Sequence, residues 1–220
     1  MDTLPLAYRR GYQDFYGRNF KVTPDVLIPR PETEQIIDEA LNLAGKSYLP
    51  GVKPSDRVLP EHPLILDVGT GSGIIAITLK LELPEATVIG LDISSLALKI
   101  AQENAAHLNA TVDFKISDLL ESYRGEKPAL IVANLPYVDE TWEWLDKEAL
   151  SAEPRLALFA KDGGLALIKR LLQEIIAHDF HPKILLEMDP CQHETLIQFA
   201  KKLGYKHQKT TGYIILLSRD

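Results

Sequence analysis

Asn134, Leu135, Pro136 and Tyr137 follow the apolar run Leu130 to Ala133, and these residue types in this order could hold a planar amino group. Four small apolar residues suit a strand buried on both faces, and Pro136 cannot continue a strand's ladder, so the chain must turn there. Asn134 and Tyr137 then stand at a strand's carboxyl end, the edge at which open α/β sheets bind ligands. An Asn side-chain oxygen beside backbone carbonyls freed by a proline turn is a cluster of hydrogen-bond acceptors, and such a cluster suits an NH2 group. An ordinary turn closing a strand carries the same residues, so the rest of the chain has to decide.

A second group of residues has the spacing of a nucleotide loop. In Asp67-Val68-Gly69-Thr70-Gly71-Ser72-Gly73 three alternate glycines join a strand to a helix, which lets the backbone turn tightly and approach a ligand. The spacing differs from the Gly-x-Gly-x-x-Gly dinucleotide fingerprint, and a structural turn is the alternative. Asp92, followed by Ile93, ends the next strand about twenty residues later, where a carboxylate can accept both hydroxyls of a ribose; capping the helix that starts at Ser95 is its other role. Asp118 follows a third strand. There a carboxylate would accept the exocyclic amine of an adenine, with Leu119 or Leu120 over the ring, or would cap a turn. No His/Cys cluster has metal-ligand spacing.

The elements that must position these residues are legible as a pattern. From Pro63 strand and helix alternate, the signature of a parallel sheet covered on both faces. Strands are expected at Leu64–Asp67, Thr87–Asp92, Thr111–Ile116, Ala129–Ala133 and Lys183–Met188. Helices are expected at Gly73–Glu82, Ser95–Leu108, a short one near Thr141–Ala149, Gly164–His178 and Gln192–Leu203. Tyr205–Lys209 and Tyr213–Ser218 form a closing hairpin through Thr210-Thr211-Gly212, with one strand antiparallel to the rest. Ahead of this, Asp14 to Val22 reads as a β-hairpin, and a helix begins at Pro31 or Glu32, runs to Ala44 and is ended by Gly45. Lys46 to His62, rich in Pro, Gly and charge, reads as a surface connection prone to disorder. The organisation expected is an N-terminal segment over 1–30 and a catalytic domain over 31–220.

Composition narrows the partners. The 220 residues suffice for one well-filled domain, and 45% hydrophobic with 25% charged residues suits a soluble globular protein. No apolar run approaches the roughly 18 residues that span a bilayer, and Met1-Asp2-Thr3 does not start a signal peptide. The single cysteine, Cys191, cannot form an internal disulfide and reads as inert, which fits a cytoplasmic location. A net charge of -7 argues against a broad phosphate-binding face. The first thirty residues are nonetheless locally basic (Arg9, Arg10, Arg18, Lys21, Arg30), so a polyanion would approach from that side.

Taken together, Asp67 to Gly73, Asp92, Asp118 and Asn134-Leu135-Pro136-Tyr137 resemble, in order and spacing, the class I S-adenosylmethionine-dependent methyltransferases that modify planar amino groups. More narrowly, the Phe15-Tyr16-Gly17 hairpin, Leu27-Ile28-Pro29-Arg30-Pro31-Glu32-Thr33-Glu34, Glu153-Pro154-Arg155-Leu156-Ala157-Leu158 and Asp162-Gly163-Gly164 resemble the protein glutamine methyltransferases that act on peptide-chain release factors. The resemblance covers nearly the whole chain, and Pro29 to Glu34 is its most specific part. It implies a Rossmann-like, mostly parallel seven-stranded sheet with helices on both faces and a C-terminal antiparallel hairpin. It implies S-adenosylmethionine at Asp67, Gly69 to Gly73, Asp92, Ile93, Asp118, Leu119 and Asn134. The substrate, a glutamine in a Gly-Gly-Gln loop, would meet Arg30, Pro31, Glu32, Thr33, Asn134 and Tyr137, with Asn134 to Tyr137 as the catalytic segment and Tyr137 covering the flat target. A surface bridge from Arg30 to Glu32 or Glu34 is the bland alternative.

Two departures stand out. The family usually reads Asn-Pro-Pro-Tyr, whereas Asn-Leu-Pro-Tyr is typical of ribosomal RNA adenine dimethyltransferases, which makes an RNA adenine the alternative substrate. The family also carries a helical domain ahead of the hairpin, and only about ten residues precede it here. Outside the methyltransferases, the rivals are a nicotinamide-dependent oxidoreductase, disfavoured by the glycine spacing, and a cofactor-binding module without activity.

Overall fold

The computed structural model describes residues 4–46, 53, 55 and 57–219. Five parallel strands form the frame that positions the site: β3 (Leu64–Val68), β4 (Thr87–Asp92), β5 (Asp113–Ile116), β6 (Leu130–Ala133) and β7 (Lys183–Glu187). The closing hairpin of β8 (Lys206–Thr211) and β9 (Ile214–Ser218) completes a seven-stranded sheet of order β5-β4-β3-β6-β7-β9-β8, in which β9 runs antiparallel to both neighbours. β3 pairs in parallel with both β4 and β6. The chain therefore winds one way from β3 through β4 to β5 and the other way through β6, which puts the switch point, and its crevice, at the carboxyl ends of β3 and β6.

Helices cover both faces because the central strands are apolar on both sides: all four residues of β6 are buried. One core layer joins α2 (Glu34–Leu43) and α3 (Ile74–Glu82) to Ile65, Val88, Leu130 and Val132. The other packs α7 (Ala166–Ala177) and α8 (His193–Lys202) on Leu66, Ile131, Ile184 and Leu186. The alternation of odd and even strand residues between the two layers is the period-2 rule applied to a doubly covered sheet. α4 (Ser95–His107) packs on β5 and on the N-terminal hairpin.

That hairpin, β1 (Tyr12–Phe15) and β2 (Arg18–Lys21), turns through Tyr16 and Gly17 at φ 48° and 69°, the two positive values a tight hairpin turn of this length needs. Phe15 and Phe20 meet edge to face at 6.1 Å and are buried in the first core layer. A short helix, α1 (Leu6–Arg10), precedes it and was not expected; five residues are too few to show a helical period.

Several boundaries differ from expectation. β5 starts at Asp113 rather than Thr111. The helix expected near Thr141–Ala149 is one turn, α5 (Lys147–Leu150), and a second turn, α6 (Arg155–Leu158), follows Pro154. The C-terminal hairpin turns at Gly212 and Tyr213, leaving Thr210 and Thr211 paired with Ile215 and Ile214. Of the region Lys46 to His62, residues 47–52, 54 and 56 lie outside the described residues. Among the described residues no helix is long and apolar enough to cross a membrane.

Candidate functional site

A cavity of about 500 Å³ opens at the switch point, lined by the glycine loop after β3, Asp92 at the end of β4, Asp118 after β5 and Asn134 after β6. The four strand ends read from the sequence thus converge on one space.

The glycine loop has left-handed backbone at Gly69, Gly71 and Gly73, with φ of 77°, 55° and 81°. A Cβ on Gly69 would lie 2.8 Å from Leu135 Cδ2, so this glycine lets the loop close against the segment after β6. A Cβ on Gly71 would meet no protein atom within 4 Å. Its N–H donates to Asp92 Oδ2 at 2.8 Å, tying the loop to the end of β4. Asp92 Oδ1 accepts from the Ser94 N–H at 2.8 Å, while the helix cap is Ser94 itself, whose Oγ accepts from the Ala97 N–H. Asp92 is therefore not the cap. Burial raises its carboxyl, and the Ser94 and Gly71 amides oppose that.

Asp67 stands behind the loop rather than in the cavity lining. It is fully buried; Oδ2 accepts from Thr70 Oγ1 at 2.6 Å and from the Ala76 N–H at 3.1 Å, so it staples the loop to the first turn of α3. Burial pushes its carboxyl up to about 7, and the amino end of α3, toward which Oδ2 points, opposes the rise. Gly73 is also outside the lining: its Cβ would press on Ile77 and Ala101, which makes it a packing glycine. Thr70, Ser72 and Ile93 line the cavity.

Asp118 forms an ion pair with Arg170, and Arg170 Nε reaches Glu174 Oε1 at 3.1 Å. Glu174 Oε2 accepts from the Leu120 N–H at 2.8 Å, which braces the loop after β5. Leu119 lines the cavity at φ 49°, whereas Leu120 is buried in the core layer beneath. The sequence offered no sign of Arg170, whose partner lies 52 residues away.

The Pro29 to Glu34 segment meets the Asn134 segment directly. Pro31–Thr33 form a 3-10 turn entering α2, and Thr33 is completely buried there. Asn134 Nδ2 donates to Thr33 Oγ1 at 3.0 Å. Asn134 and Thr33 line the cavity; Pro31 and Glu32 do not. Arg30 also lines it but bridges to Glu153, not to Glu32 or Glu34. Glu153, 6% exposed, takes the Ile28 N–H on its other oxygen at 3.0 Å, and Glu34 accepts from the Tyr16 N–H at 2.7 Å.

Leu135 and Pro136 line the cavity, but Tyr137, expected to cover the target, stands outside the lining. Its hydroxyl donates to Glu187 Oε1 at 3.2 Å, and burial followed by the Glu187 charge raises its pKa. Its carbonyl accepts from Gln192 Nε2 at 2.7 Å, and the same nitrogen reaches the Gly163 carbonyl at 2.6 Å. Gly164, at φ 83°, packs so closely that a Cβ would collide with the Tyr137 carbonyl, which explains the second of the paired glycines. Glu187 was missed by sequence reasoning, although the rule that singled out Asp67 and Asp92, an acid at the carboxyl end of a parallel strand, applies to it equally.

A model of the methyltransferase small domain matches residues 57–168, about half of the chain. Over 207 residues the chain is 37% identical to a release factor glutamine methyltransferase of Bacteroides thetaiotaomicron, covering 92% of this chain and 69% of that protein. The chain belongs to the release factor glutamine methyltransferase family. Another member, from Koribacter versatilis, is 44% identical over 176 residues, covering 79% of this chain. The chain spans only 58% of that protein's length, and 57% of a relative from Enterococcus faecalis. In fold, it is similar to a ribosomal protein L11 methylase of Lactobacillus delbrueckii (TM-score 0.57, 22% identity, covering 94% of this chain and 88% of that one). It is similar also to a 16S rRNA N2 G1207 methyltransferase of T. Thermophilus, solved with AdoMet and guanosine (TM-score 0.63, 17% identity, covering 95% of this chain and 49% of that one). The seven-stranded sheet of class I methyltransferases, with its antiparallel hairpin, is thus the family's fold in this chain.

Proposed function

We propose that this chain transfers a methyl group from S-adenosylmethionine to the side-chain amide nitrogen of the glutamine in a release factor's Gly-Gly-Gln loop. The observation that carries the reading is Asn134: it lines the cavity with the glycine loop, and its Nδ2 is engaged by Thr33, which leaves Oδ1 to accept from a target amine. Gly69 to Ser72 would pass along the cofactor's amino-acid part, Asp92 would take the ribose hydroxyls, and Asp118 with Leu119 would hold the adenine. The open space over Gly71 and the acceptors at the strand ends suit such a ligand. When bound, the cofactor supplies a methyl carbon activated by a sulfonium charge.

The chain's own task is the harder part. An amide nitrogen shares its lone pair with the carbonyl, a resonance measured by the roughly 18–20 kcal/mol barrier to rotation about such a bond. Asn134 Oδ1 and the Leu135 carbonyl would accept the two N–H groups of the target and orient its nitrogen for transfer, in which an N–C bond forms as the S–C bond breaks and one N–H proton leaves to solvent. Positive charge growing on that nitrogen is stabilised by the same two dipoles. Fixing two reactants in this way supplies about 7–11 kcal/mol of the barrier. Leu135 keeps the backbone carbonyl, and its side chain packs on Gly69, so it serves the glycine loop as well as the acceptor cluster. Arg30 and Glu32 border the substrate's path, Thr33 holds Asn134, and Tyr137 is fixed by Glu187 at its edge. Residues 1–30 dock the hairpin on the catalytic domain over 31–220, and the chain works in the cytoplasm on a protein partner.

Leu135 favours one second reading, an RNA adenine, whose exocyclic NH2 fits the same two acceptors. Transfer itself separates the two. The chain is incubated with methyl-labelled cofactor and either a release factor or unmodified ribosomal RNA. Label mapped to the Gly-Gly-Gln glutamine supports the proposal, and label entering only adenine overturns it.

A further inference from the structure

Glu187 closes β7 at the point where the register sets it beside Asn134, since Leu186 pairs with Ala133. It is 1% exposed. Oε1 accepts from the Tyr137 hydroxyl at 3.2 Å, and Oε2 is enclosed without a partner of its own. A buried carboxyl with an orphan oxygen is costly to a fold unless something uses it. What surrounds it comes from both motifs of the site: Thr33 from the 3-10 turn, and Asn134 and Tyr137 from the segment after β6, all near enough to favour its charged form.

We infer that Glu187 is a positioning residue: its carboxylate sets the direction of the Thr33 hydroxyl and thereby which end of the Asn134 amide faces the cavity. The step is one of hydrogen counting. A hydroxyl has one hydrogen and two lone pairs. When Glu187 is a carboxylate it can only accept, so the Thr33 hydrogen is drawn toward that charge, and Thr33 Oγ1 is left to accept from Asn134. Nδ2 must turn to Thr33, as observed at 3.0 Å, and Oδ1 is left for a donor in the cavity. When Glu187 is neutral it can donate to Thr33, the Thr33 hydrogen is free to point at Asn134, and the amide can turn over. It then presents an NH2 to an NH2. The inference rests on the reading of Asn134 Oδ1 as the acceptor for the target amine.

Burial pushes the Glu187 carboxyl up to about 7, Glu32 pushes it further, and Thr33, Tyr137 and Asn134 draw it back. The other charged or titratable groups on this side are Arg30 and Tyr213, which face Tyr137, and His193 with Asp189, which lie beyond Met188. Because the carboxylate is the working form, turnover rises with pH through about 7. Asp67 lies in the same range, but it staples the glycine loop, so its titration moves cofactor affinity rather than turnover.

The experiment uses the full chain, a release factor, S-adenosylmethionine and S-adenosylhomocysteine. Turnover against pH is measured for wild type and for Glu187→Gln, which keeps the shape but is neutral at every pH, and S-adenosylhomocysteine affinity is measured alongside. The variant is expected to lose turnover by about tenfold or more at pH 8, with the acid limb near 7 abolished and cofactor affinity within about twofold of wild type. A Glu187→Gln variant that keeps wild-type turnover, or keeps the acid limb, overturns the inference. Loss of cofactor affinity in step with turnover overturns it too, because that marks a general support role. A wild-type chain that transfers no methyl to the release factor would instead sink the functional reading beneath it.

Discussion

Asn134 Nδ2 and Thr33 Oγ1 meet at 3.0 Å although 101 residues separate them in the chain. Thr33 is fully buried where the helix α2 begins, and Asn134 directly follows the central strand β6. One hydrogen bond therefore joins the entry of a packed helix to the acceptor cluster, and both ends are held by rigid elements rather than by loop tips.

Thr33→Val tests that link, because valine keeps the shape and removes the acceptor. With its amide free to turn, Asn134 is expected to lose about 1–2 kcal/mol of its hold on the target, a fall in turnover of roughly tenfold. S-adenosylhomocysteine affinity, read by calorimetry, is expected to stay near wild type. Unchanged turnover would mean that Asn134 is oriented by something else.

Gly69 and Leu135 make a second pair across the cavity floor. Gly69→Ala places a Cβ 2.8 Å from Leu135 Cδ2 at a φ of 77°, and is expected to destabilise the fold by about 1–3 kcal/mol through strain and overlap. Leu135→Ala removes the overlap but not the strain. The double variant is thus expected to be more stable than the sum of the two single losses, by a coupling of about 0.5–2 kcal/mol in a denaturant cycle. Strict additivity would show that the two residues do not press on each other.

The strand ends were legible because buried parallel strands write continuous apolar runs, so an acid or amide at their close stands out, as Asp67, Asp92 and Asn134 do. Partners were not legible. For Arg30, read as a groove residue with a bridge to Glu32 or Glu34 as the alternative, the partner is Glu153, 123 residues on, which local spacing cannot reveal. Tyr137 reads as a cover for the target, but Glu187, brought next to it by the β6–β7 register, holds its hydroxyl. Alternation finds the edge of the sheet; it does not say which side chains from distant segments close over it.

Arg30→Ala leaves Glu153, 6% exposed, with only the Ile28 N–H on its carboxyl. Stranding a buried charge costs about 3–5 kcal/mol when both partners are enclosed. Arg30 is 33% exposed, so solvent reduces this to about 1–3 kcal/mol. Glu153→Gln in the same background is expected to recover part of the loss in thermal melts, and no recovery would argue that Arg30 acts through other contacts.

Asp67 supplies a pH test of stability. Its folded pKa lies above the ordinary carboxylate range, at about 7. Folding thus favours the neutral form, and that preference contributes stability which is complete below the unfolded value and is lost as pH rises through the folded one. Asp67→Asn is neutral throughout. Relative to wild type the variant is expected to gain about 2–3 kcal/mol between pH 5 and pH 8. A difference that does not change with pH would place the Asp67 pKa in the ordinary range.

The central claim is that the acceptors at the end of β6 hold the target amine while the glycine loop and Asp92 hold the cofactor. Asn134→Ala separates these roles in one variant. Methyl transfer to a release factor and S-adenosylhomocysteine affinity are measured together on wild type and variant. Transfer is expected to fall by more than about tenfold, the equivalent of about 1.4 kcal/mol, while cofactor affinity stays within about twofold. Equal losses in both would contradict the claim and make Asn134 a structural residue of the cavity wall.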